Sequence, residues 1–176
     1  TDKFRILPNW ETASTNDQRI CIFIEPGMAF GTGQHASTQV CLHALEHLKA
    51  FNFANSTTLD VGTGSGILAI ALAKLGSKNV WAGDIDKNAV IASKVNAEFN
   101  NVSLNIFEGT LPSHSKFDLV LANILFTVLA PMISELSQIL NRKGTLILSC
   151  LIESQSDEMT ELAKQCGLTL QSKETL

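Results

Sequence analysis

The fold of this chain is decided by the stretch Leu59-Asp60-Val61-Gly62-Thr63-Gly64-Ser65-Gly66. A short apolar run ends there in glycines at alternate positions, and an apolar helical segment follows at residues 67–75. Glycine has no Cβ, so its backbone can approach a ligand closely and can adopt positive φ. The helix N-terminus behind the loop offers free N–H groups to an anionic group. The stretch therefore predicts a strand, a ligand-binding loop and a helix.

The spacing of the glycines distinguishes between ligands. The dinucleotide fingerprint G-x-G-x-x-G/A requires Gly or Ala at position 67, where this chain has Ile67. No lysine follows the glycines, as a P-loop would require. The observed G-x-G-x-G at the start of an α/β unit resembles the loop of the class I S-adenosylmethionine-dependent methyltransferases. A glycine-rich turn that binds nothing is the alternative.

The composition is typical of a globular single-domain protein. The chain has 176 residues, of which 45% are hydrophobic and 17% charged, and this length suffices for a sizeable core. No run approaches the ~20 apolar residues of a membrane span. The charged start at residues 1–5 lacks the apolar segment of a secretory signal. The net charge of −4 argues against a nucleic-acid surface built on overall basicity.

The cysteines point to a reducing compartment. None of the four forms a C-x-x-C pair, and we interpret them as reduced, buried side chains: Cys21, Cys41, Cys150 and Cys166. We therefore expect a cytoplasmic protein. From the length of the apolar runs and the net charge, we also expect no membrane binding and no direct nucleic-acid binding.

Strands and helices alternate from residue 57 onward. The predicted strands are 57–61, 79–83, 102–107, 117–122, 145–150 and 168–171, and the predicted helices are 67–75, 87–99, 127–140 and 155–166. This order predicts an α/β fold with a doubly wound, mostly parallel sheet. Ligands of such sheets bind at the carboxyl ends of the strands. The glycine loop, Asp84, Glu108 and Asn123 all fall at predicted strand ends.

The first 56 residues follow a different pattern. Residues 4–7 and 19–25 predict two strands of a hairpin, and Pro26-Gly27 ends the second. A second glycine-rich segment at 27–35 is either a ligand-covering loop or an ordinary connector, and a helix follows from 37 or 38 to 49. We predict one domain over 1–176, in which the N-terminal hairpin, loop and helix (1–56) precede a cofactor-binding α/β core (57–176).

One segment matches a metal pattern. His43-Ala44-Leu45-Glu46-His47 fits H-x-x-E-H, a zinc motif. The apolar stripe of the helix runs through Leu42, Leu45 and Leu48, which places both histidines and Glu46 on the polar side. No separate third ligand is indicated, so we interpret the segment as a solvated helix face and predict no metal.

Four segments invite comparison with known families: residues 25–35 (Glu-Pro-Gly-Met-Ala-Phe-Gly-Thr-Gly-Gln-His), residues 60–71, Asp84-Ile85-Asp86 and Ala122-Asn123-Ile124-Leu125. Together they resemble the PrmA family, whose members methylate a large-subunit ribosomal protein (L-11 methyltransferases). The resemblance runs from about Phe4 to the end of the chain. It implies a Rossmann-like class I methyltransferase fold, the cofactor S-adenosyl-L-methionine and a protein substrate, expected to be ribosomal.

The resemblance covers the methyltransferase half of the family alone. The family's small N-terminal substrate-recognition domain has no counterpart in this sequence, and a last apolar strand is missing after Lys173-Glu174-Thr175-Leu176. We therefore expect either a truncated chain or a free-standing relative.

Site residues follow from what the cofactor needs. The backbone around the three glycines is expected to approach it, and Asp84 to accept hydrogen bonds from both ribose hydroxyls, unless Asp84 is a simple turn residue. Asp86 is expected to cap the next helix, and Glu108 faces either adenine or solvent. The resemblance adds three residues of the second glycine-rich segment. The predicted cofactor-binding residues are Phe30, Thr32, Gly33, Asp60, Gly62, Gly64, Gly66, Asp84 and Asn123.

The acceptor of the methyl group must be a neutral nucleophile. Deprotonating a lysine at pH 7 costs about 4.6 kcal/mol, against about 1 kcal/mol for an α-amine. Asn123 is the predicted catalytic residue, because its amide oxygen can orient an amine; a strand-end turn residue is the alternative. Base-methylating relatives usually have Asn-Pro-Pro-aromatic here, whereas this chain has Asn123-Ile124-Leu125-Phe126. We predict a protein N-methyltransferase acting on lysine or α-amino groups. The alternatives are a noncatalytic cofactor-binding module and a methyltransferase of a small molecule or nucleic acid.

Overall fold

A computed structural model describes residues 1–27, 35–113 and 115–175. Its large sheet contains β3 (Thr57–Val61), β4 (Asn79–Asp84), β5 (Asn105–Glu108), β6 (Phe117–Asn123) and β7 (Leu140–Ser149). The strand order is β5-β4-β3-β6-β7, and every neighbouring pair is parallel. The winding reverses between β3 and β6, so a crevice is expected at their carboxyl ends. The predicted doubly wound parallel sheet is confirmed.

Helices cover both faces of this sheet. They are α1 (Ala36–His47), α2 (Ile67–Lys74), α3 (Lys87–Phe99), α4 (Phe126–Gln138) and α5 (Glu153–Gln165). β6 shows the two layers, since Leu119 and Leu121 join the core formed with α1 and α2, while Val120 and Ala122 join the core formed with α4 and α5. A strand buried on both faces is expected to be a continuous apolar run, and residues 119–122 form such a run between the half-buried Asp118 and Asn123. None of the helices in the described ranges is long and apolar enough to cross a membrane.

The predicted N-terminal hairpin is wrong. β1 (Phe4–Pro8) and β2 (Ile20–Ile24) are parallel, with Phe4 opposite Ile20 and Pro8 opposite Ile24. The intervening residues 9–19 lead the chain back to the start of β1, a path that parallel pairing requires. Asp17 fixes this return by accepting hydrogen bonds from Arg19 at 2.8 Å and Arg5 at 2.9 Å.

The small sheet shares the core of the large one. Phe4, Ile22 and Ile24 are buried in the same cluster as α1 and α2. Both strands lie close to where the sequence predicted them, but their apolar residues carry no information on their relative direction.

The C-terminal strand predicted at 168–171 is also wrong, since these residues form no strand. The backbone N–H of Leu168 donates to the Ala163 carbonyl at 3.0 Å, and that of Gly167 donates to Lys164 at 2.9 Å. The first amides after α5 therefore complete the end of the helix.

The remaining boundaries differ by smaller amounts. The third predicted strand of the core, 102–107, shortens to β5, and β7 begins five residues before the predicted 145. In this added part of β7 the pairing register with β6 is irregular between Phe117 and Leu119, and Lys143 has a φ of 70°. The predicted helix cap is confirmed, because the Asp86 carboxylate accepts from the Asn88 N–H at 2.9 Å. Of the four cysteines, Cys41 is buried and the others are partly exposed, so their predicted burial holds for one.

Candidate functional site

The glycine loop between β3 and α2 folds against the end of β4. The backbone N–H groups of Gly62 and Thr63 both donate to the Gly83 carbonyl, at 2.9 and 3.0 Å. Within the loop, the Gly66 N–H donates to the Thr63 carbonyl at 2.8 Å. These bonds hold the loop at the carboxyl edge of the sheet, where the sequence predicted a ligand site.

Two loop positions exclude any side chain. Gly62 has φ of 69°, and a Cβ there would lie 2.4 Å from Cγ2 of Ile124, the residue after Asn123. Gly66 has φ of 84°, and its Cβ would lie 3.0 Å from the Cβ of Ser93 on α3. Positive φ is strained for residues with a Cβ; in addition, the contact at Gly62 is closer than packing allows, and the contact at Gly66 would require Ser93 to shift. The glycines therefore bring the loop against both α3 and the end of β6.

Asp60, in β3, supports the loop through hydrogen bonds to the loop and to the first turn of α2. Its Oδ2 accepts from the Thr63 hydroxyl at 2.6 Å and from the Ala69 N–H at 3.2 Å, and the residue is 1% exposed. Burial raises the pKa of Asp60 to about 6, against the opposing effect of these two hydrogen bonds, and the nearby Asp84 charge raises it further. Asp60 thus connects the strand end to the first turn of α2, while its predicted contact with a cofactor stays a prediction.

Asp84, the last residue of β4, has both carboxylate oxygens directed at backbone. Oδ2 accepts from the Gly64 N–H at 2.9 Å, and Oδ1 accepts from the Asp86 N–H at 3.0 Å. A carboxylate offers about four lone-pair sites, so each oxygen retains capacity for another donor. Asp84 is half-buried, and can both hold the loop and accept from ligand hydroxyls.

Asn123, the last residue of β6, has a buried acceptor that no described residue pairs with. Its Nδ2 donates to Thr38 Oγ1 at 3.3 Å, whereas its Oδ1 has no hydrogen-bond partner in the part of the chain that the structure describes. Leaving a buried polar atom unpaired costs about 1–3 kcal/mol, so such an atom calls for a specific reason, of which a catalytic role is one. The Asn123 amide oxygen is therefore available to accept from a bound donor.

A second hydrogen bond connects α1 to the same edge. Ser149, at the end of β7, donates its hydroxyl to the Ser37 carbonyl at 3.0 Å, and Ser37 precedes the fully buried Thr38. The first turn of α1 is therefore attached to the ends of both β6 and β7. Sequence reasoning missed Thr38, although it follows the second glycine-rich segment by only a few residues.

Sheet register brings the predicted residues together. Val61 lies opposite both Gly83 and Ala122, so Gly62, Asp84 and Asn123 continue from neighbouring strand ends. Glu108 ends β5 on the same edge, is 54% exposed and lies 4.0 Å from the Lys87 ammonium group. Three predicted residues, Phe30, Thr32 and Gly33, lie outside the described residues.

The H-x-x-E-H segment is only partly a solvated face. His47 is 66% exposed, but Glu46 is 11% exposed and accepts from the Lys3 N–H at 2.8 Å and from the Thr1 hydroxyl. Glu46 therefore attaches the start of the chain to α1. Within residues 1–27, 35–113 and 115–175, no three His, Cys, Asp or Glu side chains form a group that could hold a metal ion.

Comparisons with known proteins agree with this geometry. A family model described as "Ribosomal protein L11 methyltransferase (PrmA)" matches residues 1–175. The chain is 40% identical over 177 residues to the ribosomal protein L11 methyltransferase of Staphylococcus saprophyticus, covering 98% of this chain and 56% of that protein. It is 39% identical over 170 residues to the protein of the same name from Clostridium botulinum, covering 95% and 53%. The chain thus spans little more than half the length of these relatives.

A solved structure matches over the whole chain. It is the ribosomal protein L11 methylase from Lactobacillus delbrueckii subsp. bulgaricus, with a TM-score of 0.91 and 32% sequence identity, covering 100% of this chain and 91% of that one. The family resemblance of the four sequence segments and the predicted fold class are both confirmed.

Asp60 gives a prediction for pH-dependent stability. Its pKa is about 6 in the folded chain against a reference value of 3.8, so folding takes up a proton between these pH values. The contribution of Asp60 to the free energy of unfolding is greatest below pH 3.8 and falls by up to about 3 kcal/mol as pH rises through 6. In Asp60→Asn this change is expected to vanish.

The measurement is urea unfolding of both proteins at pH 4 and pH 7.5. Asp17, whose pKa is lowered by its hydrogen bonds to Arg19 and Arg5, titrates in both proteins and cancels in the difference. Wild type should lose stability relative to Asp60→Asn as pH rises. A difference that is the same at both pH values would contradict the buried ionisation of Asp60.

Proposed function

Since this chain belongs to the ribosomal protein L11 methyltransferase (PrmA) family, we propose that it transfers methyl groups from S-adenosyl-L-methionine to amino groups of a protein. The single observation that carries the proposal is the buried Asn123 Oδ1, which has no partner among the described residues and lies beside the glycine loop. An unpaired acceptor at this edge suits the N–H group of a nucleophilic amine.

The residues at the edge fit the cofactor. Gly62 and Gly66 let the loop pack against Ile124 and Ser93, which holds its backbone at the carboxyl edge of the sheet, and the N-terminus of α2 suits a carboxylate. The spare lone pairs of Asp84 suit ribose hydroxyls, at about 1.5–3 kcal/mol for each charge-assisted hydrogen bond. The cofactor itself supplies an electrophilic methyl group on a sulfonium.

An amide such as Asn123 can orient an amine but cannot remove its proton, which favours an acceptor that loses its proton easily. Methyl transfer is an in-line displacement, so positioning of the nucleophile contributes most of what the protein can add. Asn123 Oδ1 would accept one N–H and thereby direct the amine lone pair, while Thr38 holds Nδ2. An α-amine, neutral at a cost of about 1 kcal/mol at pH 7, suits this arrangement better than a lysine at about 4.6 kcal/mol.

The protein substrate follows from the relatives. The S. saprophyticus and C. botulinum proteins are named for ribosomal protein L11, and we assign this chain a ribosomal protein substrate of the same class in the cytoplasm. Because the chain covers 56% and 53% of those relatives, recognition of the substrate by this chain is part of the proposal.

The experiment is transfer of radiolabelled methyl groups from S-adenosylmethionine to purified bacterial ribosomal protein L11, with nucleic acid and small-molecule fractions of a cell extract in parallel. Label in the protein, mapped by mass spectrometry to an amino group, supports the proposal. Label found only in the nucleic acid or small-molecule fractions would show that the substrate is not a protein. Cofactor binding without any transfer would identify a noncatalytic binding module.

Asn123→Ala is expected to lower kcat by about 10- to 100-fold, since one oriented hydrogen bond to the nucleophile is lost. Affinity for S-adenosylhomocysteine should change by less than about threefold, because the glycine loop and Asp84 remain. The matched control is Asn55→Ala, which removes an exposed amide at the opposite edge of the sheet. Wild-type turnover in Asn123→Ala would remove this residue from the catalytic site.

Asp84→Ala is expected to weaken S-adenosylhomocysteine binding by at least about tenfold, because it removes both the ribose acceptor and the anchor of the Gly64 N–H. Isothermal calorimetry measures the effect. Asp157→Ala, which removes an exposed carboxylate on α5, controls for the change in net charge. Unchanged affinity in Asp84→Ala would contradict its assignment to the ribose.

A further inference from the structure

Asn96 is a buried polar residue that the assigned site does not include. It lies on α3 and is 1% exposed. Its Nδ2 donates to the Ser65 carbonyl at 2.8 Å, and its Oδ1 accepts from the Glu25 N–H at 2.8 Å. One side chain therefore contacts the glycine loop on one side and the backbone just after β2 on the other.

Asn100, one helical turn later, makes contacts of the same type without touching the loop. Its Oδ1 accepts from the Phe23 N–H at 2.9 Å, and its Nδ2 donates to the Phe23 carbonyl at 2.6 Å. The two asparagines together supply the partners that a neighbouring strand would give to the outer edge of β2. Side chains of α3 thus form the hydrogen bonds that a third strand would otherwise form at this edge of the small sheet.

The position of Ser65 gives the Asn96 contact its significance. Ser65 lies between two glycines of the loop. The Gly64 N–H donates to the Asp84 carboxylate, and Gly66, which has a positive φ, is the N-cap residue of α2. A hydrogen bond to the Ser65 carbonyl fixes the peptide plane that joins Ser65 to Gly66. Ser93, one turn before Asn96, already packs so tightly against Gly66 that a Cβ there would lie 3.0 Å from the Ser93 Cβ. α3 therefore holds the second half of the loop, as the end of β4 holds the first half.

We propose that Asn96 is a positioning residue of the cofactor loop, which sets the Ser65–Gly66 peptide for ligand binding and couples the loop to the backbone at Glu25. An amide suits this position because it presents a donor and an acceptor together, which neither a carboxylate nor an apolar side chain does. The expected ligand rests on the proposed function, since it is S-adenosylmethionine that binds the loop.

The test compares Asn96→Asp with Asn100→Asp. Each variant keeps the acceptor for the backbone of β2 or of Glu25 and loses the donor, but only Asn96→Asp removes the amide donor to the Ser65 carbonyl and places a carboxylate oxygen against it. Asn96→Asp should weaken S-adenosylhomocysteine binding by at least about tenfold, measured by calorimetry well below the melting temperature of both variants. Asn100→Asp should change the affinity by less than about threefold at a comparable loss of thermal stability.

Amide hydrogen exchange, followed by NMR in the absence of ligand, separates this proposal from the proposed function. Asn96→Asp should speed exchange of the Gly64 and Gly66 amides by at least about tenfold, while amides inside β3 and β4 stay protected; Asn100→Asp should leave both glycines unchanged. Equal effects of the two variants on affinity and on exchange would overturn the proposal. Wild-type chain that binds no S-adenosylhomocysteine would overturn the proposed function, and the exchange result would still decide the role of Asn96.

Asn96→Ala removes both hydrogen bonds without adding a charge, and Asn100→Ala is its control. If Asn96→Asp does not fold, this pair is carried through the same two measurements, with the same expected contrast between the variants. Glycine amides that exchange equally fast in Asn96→Ala and Asn100→Ala would overturn the proposal.

Discussion

The end of β4 holds the glycine loop, and the rest of the site depends on that attachment. The Gly83 carbonyl accepts from two consecutive loop N–H groups, and the Asp84 carboxylate accepts from the N–H of Gly64. These bonds turn the chain sharply after β3 and direct α2 back across the sheet. The turn brings Gly62 against Ile124, and thereby places the loop next to the strand end that carries Asn123, whose Oδ1 has no partner among the residues that the structure describes.

Support for the loop comes from three directions that are far apart in sequence. Asp60 binds Thr63 and Ala69 from the strand below, α3 contacts Ser65 and Gly66 through Asn96 and Ser93, and Ile124 closes the side toward β6. A loop supported in this way is arranged before its ligand arrives, so little ordering entropy is lost on binding. The fully buried Asp60 carboxyl is the destabilising element of this arrangement at neutral pH.

Sequence patterns predicted those features that depend on local chemistry. Alternating glycines identified the loop, β-branched and apolar runs identified the five core strands, and the carboxylate of Asp86 identified a helix start. Because the strands of the sheet are parallel, Asp84 and Asn123, which each end a strand, lie at the same carboxyl edge of the sheet. The direction of β2 relative to β1 could not be predicted, because the same two apolar runs can pair either parallel or antiparallel.

Contacts between distant residues were also outside the reach of sequence patterns. Thr38 contacts Asn123 across 85 positions, and Asn96 contacts Ser65 across 31. Both are ordinary polar residues on helices, and their role appears only when the helices pack. The prediction that Glu46 is solvated missed a contact of the same kind. The backbone N–H of Lys3, far away in sequence, donates to Glu46 only in the folded chain.

The most direct measurement is calorimetric titration of this chain with S-adenosylhomocysteine, with NADH as control. We predict micromolar binding of S-adenosylhomocysteine, corresponding to roughly 7–8 kcal/mol, and no binding of NADH, because Ile67 occupies the position where the dinucleotide fingerprint needs Gly or Ala. Absence of S-adenosylhomocysteine binding, or equal affinity for NADH, would contradict the assignment of the glycine loop as a methyl-donor site.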